Sequence, residues 1–319
     1  MILNSMNNTV IAALALSVLT SGAYAQSNFP TKPVRVLATA AGGSGDLYAR
    51  IIAQGLTNQW GRPVIVENRP STTAIVSLIH AQPDGYSLLC YASALWIGPL
   101  MEKASYDPLK DITPVSIAVS APNVLVINPS LPAKSVKELI ALAKAKPGQL
   151  NYGSGSAGSG AHLASELLNS MAGLNVVRVS FKGAAPATNA VVTGDVHMIF
   201  STVGTVGPHV KSGRVRALAV TTAKPSPLVP DLPTIASVLP GYESTQIQGI
   251  FAPARMAPAL VRKIQQDLAA ALAQQEVKDR FLAASAEAVG STPEELLRAM
   301  KSEIAKYGKI IKEGGIKQE

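Results

Sequence analysis

One cysteine among 319 residues leaves this chain without an intramolecular disulfide or a multi-thiolate metal site. That residue, Cys90, sits in the apolar run Ser87 to Ala92 and reads as a small buried hydrophobe. The four histidines, His80, His162, His197 and His209, form neither an H-E-x-x-H motif nor an i, i+4 pair, so neither a catalytic metal nor any other cofactor is expected. Aromatic residues are only 5% of the chain. The basic residues that give the net charge of +8 are dispersed, with the densest run, Lys301 to Lys317, broken by Glu303 and Glu313. Without a basic stripe interleaved with aromatics, nucleic acid is not an expected partner. No hydrophobic run is long enough to span a bilayer, which takes about 20 residues. The longest, Val10 to Leu19, lies within 25 residues that carry no Lys, Arg, Asp or Glu and end Ala23-Tyr-Ala25. This is the pattern of a secretory h-region and A-x-A cleavage site, although the usual basic n-region is missing. A short buried helix or an anchor is the alternative. Residues 1–25 are therefore expected to be a signal peptide, with an exported, periplasmic chain beginning near Gln26.

What is present is an alternation of short Val/Ile/Leu runs with helical stretches, the mark of βαβ units and a mostly parallel sheet. Pro33 to Leu37 is a predicted strand, followed by Gly42-Gly-Ser-Gly-Asp46 and a helix over Leu47 to Leu56. Val64 to Val66 and Ser87 to Tyr91 are further strands. After Pro114, two strands are predicted, at Val115 to Val119 and Val124 to Ile127, then a helix over Val136 to Lys144 with Ser135 and Glu138 spaced as a capping box. The plan then recurs: strand Leu150 to Tyr152, a glycine-rich loop, helix Ala161 to Met171, strand Val176 to Phe181. Helix Ala185 to Thr193 and strands Met198 to Phe200 and Ala217 to Val220 complete this half. Crossovers between the halves are placed near Pro122 to Val124 and Gln246 to Phe251. Ala257 to Gly315 reads as helical and is expected to pack back on the first half. The expectation is a two-lobed α/β fold, residues 26–123 plus 247–319 forming one lobe and 124–246 the other, with a cleft into which both glycine loops point.

The loop Gly153-Ser-Gly-Ser-Ala-Gly-Ser-Gly160 contains a literal G-x-G-x-x-G, so a dinucleotide is one reading. That site needs an acidic residue after the next strand, where Lys182 stands instead. The simpler reading is an anion site made of successive backbone N–H groups and serine hydroxyls at a helix N-terminus, for which carboxylate serves as well as phosphate; a purely structural glycine turn is the third. In the matching first loop, Asp46 can cap its helix or orient a ligand donor. Neither loop has G-x-S-x-G, and no histidine is placed to activate a serine. His162 can touch a ligand or simply hold the loop by hydrogen bonds.

Several segments together resemble a known family: Asn68-Arg-Pro70, Pro83-Asp-Gly-Tyr86, Tyr106 to Asp111, Pro122 to Val126, Gly153 to His162, Lys182 to Pro186, Pro240-Gly-Tyr242 and Thr292-Pro-Glu294. In that order they are similar to the Bug-type, TctC-like receptors of tripartite tricarboxylate transporters, across nearly all of the chain after residue 25. The resemblance implies a Venus-flytrap clamp that closes on a small organic acid, holds carboxylate by backbone N–H groups, hydroxyls and waters, and serves a membrane permease. Carried over by position, the first loop contributes Gly42, Gly43, Ser44 and Asp46, and the second Ser154, Gly158, Ser159 and His162. Ser93 stands where the family often has a hydroxyl facing the cleft, and Ser201 where Asp is common.

The departures bear on the ligand. Ala38-Thr-Ala-Ala41 replaces an aromatic and prolines, which leaves room at Ala40, and Ser71-Thr-Thr73 shortens a glycine-rich stretch. Ser201 in place of Asp removes a charge for an amino group, which favours a dicarboxylate or aromatic carboxylate over an amino acid. Trp96 either stacks on a planar ligand or belongs to the core. The expected partners are that carboxylate and a permease, the expected state a monomer, and the expected activity binding without chemistry. A sensory module that presents its ligand to a signalling protein and an exported enzyme are the rival functions.

Overall fold

The computed structural model describes residues 29–313 apart from 40, 42, 43, 156, 157 and 182. The proposed signal peptide and loop residues Gly42 and Gly43 therefore lie outside the described residues, as does Ala40.

Two sheets share one long strand. The first is ordered β2 (Val64–Asn68), β1 (Val34–Ala38), β3 (Ser87–Ala92), then a nine-residue strand Thr245–Pro253, then β4 (Ile112–Ile127). The second continues from β4 through Met198–Thr202, β5 (Asn151–Ser154) and β6 (Val177–Ser180), with a further strand Arg216–Val220 also on β4. In chain order the strands after β6 are β7 (Met198–Thr202), β8 (Arg216–Val220), β9 (Thr245–Pro253) and a two-residue β10 (Glu287–Ala288). The parallel pairing implied by the βαβ pattern is found in β2–β1–β3 and in β6–β5–β7, while β4 and β9 add antiparallel pairs. The fold is thus a two-lobed α/β fold with a mixed sheet in each lobe.

β4 makes the passage between lobes. Ile112 to Pro122 pairs with β9, and from Asn123 to Ile127 the same strand pairs with β7 and β8. The two strands predicted here are thus one of sixteen residues, with Pro122 at the change of partner. The region Gln246 to Phe251, read as a crossover, is most of β9. Its polar Gln246 and Gln248 alternate with Ile247 as on a surface strand, and both border the space between the lobes, Gln246 exposed and Gln248 buried.

Helices cover both sheets: α1 (Ser44–Trp60) and α2 (Ser71–Ile79) follow β1 and β2, and the short α3 (Ala94–Ile97) follows β3. α4 (Val136–Ala145) starts at Ser135, whose hydroxyl accepts the Glu138 N–H at 3.2 Å. The Glu138 carboxylate reaches the N–H of Lys134, one residue before the expected capping-box partner. α5 (Gly160–Ala172) and α6 (Ala184–Thr193) follow β5 and β6; α7 (Val203–Lys211), not anticipated because Pro208 lies inside it, follows β7.

Of the C-terminal helices, α8 (Pro258–Ala273) and α9 (Gln275–Ala283) pack on α1 in the first lobe, where Ile52, Leu56, Ile264, Leu268 and Phe281 share one core. The last, α10 (Pro293–Glu313), lies across the junction and touches β4, α3 and α5. Its Leu296, Met300, Tyr307, Ile310 and Ile311 recur at helical spacing, and all are buried in a cluster that continues into the second lobe through Tyr152, Leu163 and Phe200. Burying five such side chains contributes on the order of 1.5–3 kcal/mol each. α8 and α9 thus pack on the first lobe, and α10 touches elements of both.

Candidate binding site between the lobes

Each glycine-rich loop ends where a helix begins. The first N–H groups of a helix have no partner within it, and the helix dipole places partial positive charge there. α1 opens at Ser44 and α5 at Gly160, and both ends border one cavity of about 210 Å³. Ser44, Tyr48 and Ser93 enter it from the first lobe, Gly158, Ser159 and Gly160 from the second. Asn123 stands on the wall where β4 changes sheets, flanked by Thr245, Gln246 and Gln248 of β9. A Cβ on Gly160 would lie 2.8 Å from Gln246 Nε2, and one on Gly45 3.4 Å from Gln248 Nε2. The two carboxamides thus sit against the two helix starts, Gln246 closely enough that a Cβ at Gly160 would displace it.

The donors and acceptors of this wall are poorly satisfied by the protein. Among the described residues six buried side-chain polar atoms lack a hydrogen-bond partner, and Ser93 Oγ, Asn123 Nδ2, Ser159 Oγ and Thr245 Oγ1 all belong to residues of this cavity. Ser93 lacks a well-aligned bond although the Glu303 carboxyl lies beside it. Ser159 precedes α5 in an extended conformation, but its hydroxyl does not cap that helix. Buried polar groups are ordinarily paired, so four orphans converging on one space mark a place built for a polar guest.

Other predicted residues support this wall from behind. His162, 4% exposed, accepts the Gly158 N–H on Nδ1 at 3.0 Å. Burial, with a smaller contribution from the Arg178 guanidinium, lowers its pKa to about 4 and keeps the imidazole neutral, as this bond requires. Gly158 has φ +73°, a conformation that suits glycine. Ser154 accepts from Arg178 Nε at 2.9 Å, and Arg178 Nη2 donates to the Gly155 carbonyl at 2.9 Å. Asp46 is held by Arg50 Nε and Asn68 Nδ2, each at 2.9 Å, and Asn68 Nδ2 also bonds the Thr39 carbonyl at 2.7 Å. Asp46, Ser154 and His162 therefore fix the two loops and do not line the cavity.

Ser201 also stands off the cavity wall, buried in β7 opposite Val124. Its lack of charge is not presented to this cavity, so there it gives no argument against an amino group. Trp96 is fully buried, packs against Phe251 and donates its Nε1–H to Glu303 Oε2 at 2.8 Å. It is a core residue and offers no face for stacking. Cys90 is buried too, receives Gln248 Nε2 at 3.5 Å, and has its thiol pushed up to about 12 by burial.

Sequence reading missed Asn123, Gln246, Gln248, Glu303 and Tyr307. The alternation Gln246-Ile-Gln248 is the signal that two glutamines share a face; the register that sets that face beside the cavity is tertiary. A larger hollow of about 690 Å³ lies between α7 and Leu228 to Leu232, is walled chiefly by valine, proline and leucine, and includes no residue of either glycine loop.

Residues 48–316 match the model of the tripartite tricarboxylate transporter family receptor. A solved R. palustris protein with adipate is 32% identical and superposes with a TM-score of 0.74, covering 91% of this chain and 99% of its own. The periplasmic binding protein BugD gives 29% identity, TM-score 0.70 and coverage of 91% and 99%. MatC from Rhodopseudomonas palustris, with bound malate, gives 28%, 0.69, and coverage of 89% and 100%. On the cleft, the paired loops and these likenesses, the chain belongs to the TctC family of tripartite tricarboxylate transporter receptors, a family of solute-binding proteins that includes the Bug-type receptors.

Proposed function

We propose that the protein is an exported solute-binding protein that captures a small aliphatic carboxylate in its interlobe cavity and presents it to the membrane permease of a tripartite transporter, without altering it chemically. The observation that carries this reading is the convergence of two helix N-termini and four partnerless polar side chains on one enclosed space. Neither lobe holds the whole set. A carboxylate seated there accepts from N–H groups at the start of α5 and from the Ser159 hydroxyl on one side, and from Ser44 on the other. Charge-assisted hydrogen bonds are worth about 1.5–3 kcal/mol each, and a helix N-terminus adds roughly 0.3–1 kcal/mol. Because contacts from both halves exist together only when the lobes are closed, ligand shifts the population toward the closed form. The lobes divide between residues 123 and 124 and between 246 and 247, in keeping with the change of partner along β4.

No lysine or arginine lines the cavity among the described residues, so the affinity for an anion rests on backbone dipoles and hydroxyls. A space of 210 Å³ falls below the range of roughly 300–1,000 Å³ typical of sites for drug-sized molecules, which suits a short acid. With Trp96 sealed in the core, an aliphatic acid fits better than an aromatic one. Adipate and malate in two relatives point to the same chemistry. The receptor acts as a monomer in the periplasm once residues 1–25 are removed; no described helix is long and apolar enough to cross a membrane.

A thermal-shift screen of the chain from Gln26 against aliphatic dicarboxylates, tricarboxylates, aromatic acids, amino acids and nucleotides tests the assignment. At 100 times Kd a ligand stabilises by about 2.7 kcal/mol. A rise with one class of acid is expected; a response to nucleotides alone, or to no acid, refutes the carboxylate reading.

A further inference from the structure

Glu303 is the only charged side chain on the cavity wall among the described residues, and nothing in the two-loop pattern anticipates it. It comes from α10, the helix that docks both lobes, and is 9% exposed. Trp96 Nε1 fixes one of its oxygens at 2.8 Å, and the Ser93 hydroxyl lies beside the carboxyl. A carboxylate offers about four acceptor positions, so these two neighbours leave capacity for more donors.

Its charge, by contrast, has no partner. Buried Asp46 is answered by Arg50 at 2.9 Å, whereas no ion pair reaches Glu303 among the described residues. The nearest ammonium, on Lys306, is turned to the Glu243 carbonyl at 2.7 Å and acts on Glu303 only at a distance. The Glu243 carboxylate opposes that influence, and the Tyr307 and Ser244 hydroxyls share a hydrogen bond at 3.0 Å. Burial accordingly pushes the Glu303 carboxyl above its ordinary range, against the stabilising effect of Trp96 and Ser93. A desolvated carboxylate with spare acceptor capacity and no counter-charge is costly to the empty protein, and a cation delivered by the guest relieves that cost. A second ionised carboxylate at the same place adds like-charge repulsion.

We infer that the guest is an amino-carboxylate: its carboxylate occupies the helix N-termini at Ser44 and Ser159, and its ammonium pairs with Glu303. This inference rests on the carboxylate reading above and adds the ligand's second group.

The test is isothermal titration of the chain from Gln26 with pairs of acids matched in length: aspartate against malate, glutamate against glutarate, and 6-aminohexanoate against adipate, together with the neutral α-amino acids and their amine-free acids. At pH 7.5 at least one amine-bearing acid is expected to bind ten-fold or more tighter than its twin. Glu303→Gln keeps an acceptor for Trp96; it should erase that preference, weakening the amine-bearing acid while the affinity for its amine-free twin holds or rises as the like-charge repulsion is lost. For the unaltered protein, the preference should shrink as pH falls and Glu303 takes up a proton, a readout that does not depend on the variant folding. Amine-free acids that bind as tightly as their twins, or a preference that survives both Glu303→Gln and acidification, overturn the inference and leave the carboxylate site standing. Absence of binding by every acid overturns both.

Discussion

Acidification should weaken the protein through one imidazole. His162 is almost wholly buried, accepts the Gly158 N–H on Nδ1, and has a pKa lowered to about 4 from an ordinary 6.5. In the unfolded chain the same imidazole takes up a proton near pH 6.5, so below that value the unfolded state binds more protons than the native one. The neutral ring costs nothing above pH 6.5, where both states are uncharged. As pH falls from 6.5 toward 4 the native state loses ground, by about 1.4 kcal/mol per pH unit at most. Over this window the loss approaches about 3 kcal/mol, a large fraction of the 5–15 kcal/mol by which domains are ordinarily stable. Urea melts at pH 7.5, 5.5 and 4.5 should show this slope, and His162→Asn should remove most of it relative to the parent. The ring protons of His162, followed by NMR in the folded protein, provide the direct reading. A titration near pH 6.5 would refute the argument, since the folded environment would then not be favouring the neutral ring.

Two more substitutions separate binding from scaffolding. Ser159→Ala removes a buried hydroxyl that has no protein partner, so the melting temperature without ligand should change little while calorimetric affinity for the bound acid falls by a factor of ten or more, from about 1.5–3 kcal/mol of charge-assisted bond. Gly158→Ala should do the reverse: with φ at +73° and the new methyl placed 2.3 Å from Met101 Cε, it should lower stability by about 1–3 kcal/mol in denaturant melts, and affinity falls only through the displaced loop.

Much of this protein was legible in its residues. A short strand followed by a glycine loop and a helical stretch occurs twice, and each strand feeds a helix whose N-terminus meets the cavity, because backbone donors at a helix start are set by local geometry alone. Ser44, Ser93, Gly158 and Ser159 come together there; Gly42 and Gly43 lie outside the described residues. Asp46, Ser154 and His162 stand behind the wall, since a polar side chain near a loop can serve the guest or the loop equally and only the surrounding strands decide. Ser201 is carried over by position, and the residues leave Trp96 open between a stacking and a core role; Ser201 is buried in β7 and does not line this cavity, and Trp96 takes the core role.

What the sequence determined by itself is the βαβ rhythm, the two anion-ready loops and the family pattern, all of which depend on contacts within a few tens of residues. What only the tertiary structure decided is the wall between the loops. β4 passes unbroken from one sheet to the other, β9 sets Gln246 and Gln248 on the cavity rim and wall beside it, and α10 carries Glu303 some two hundred residues along the chain to the indole of Trp96. Those positions follow from sheet register and from the long-range burial of an amphipathic helix, which no local pattern encodes.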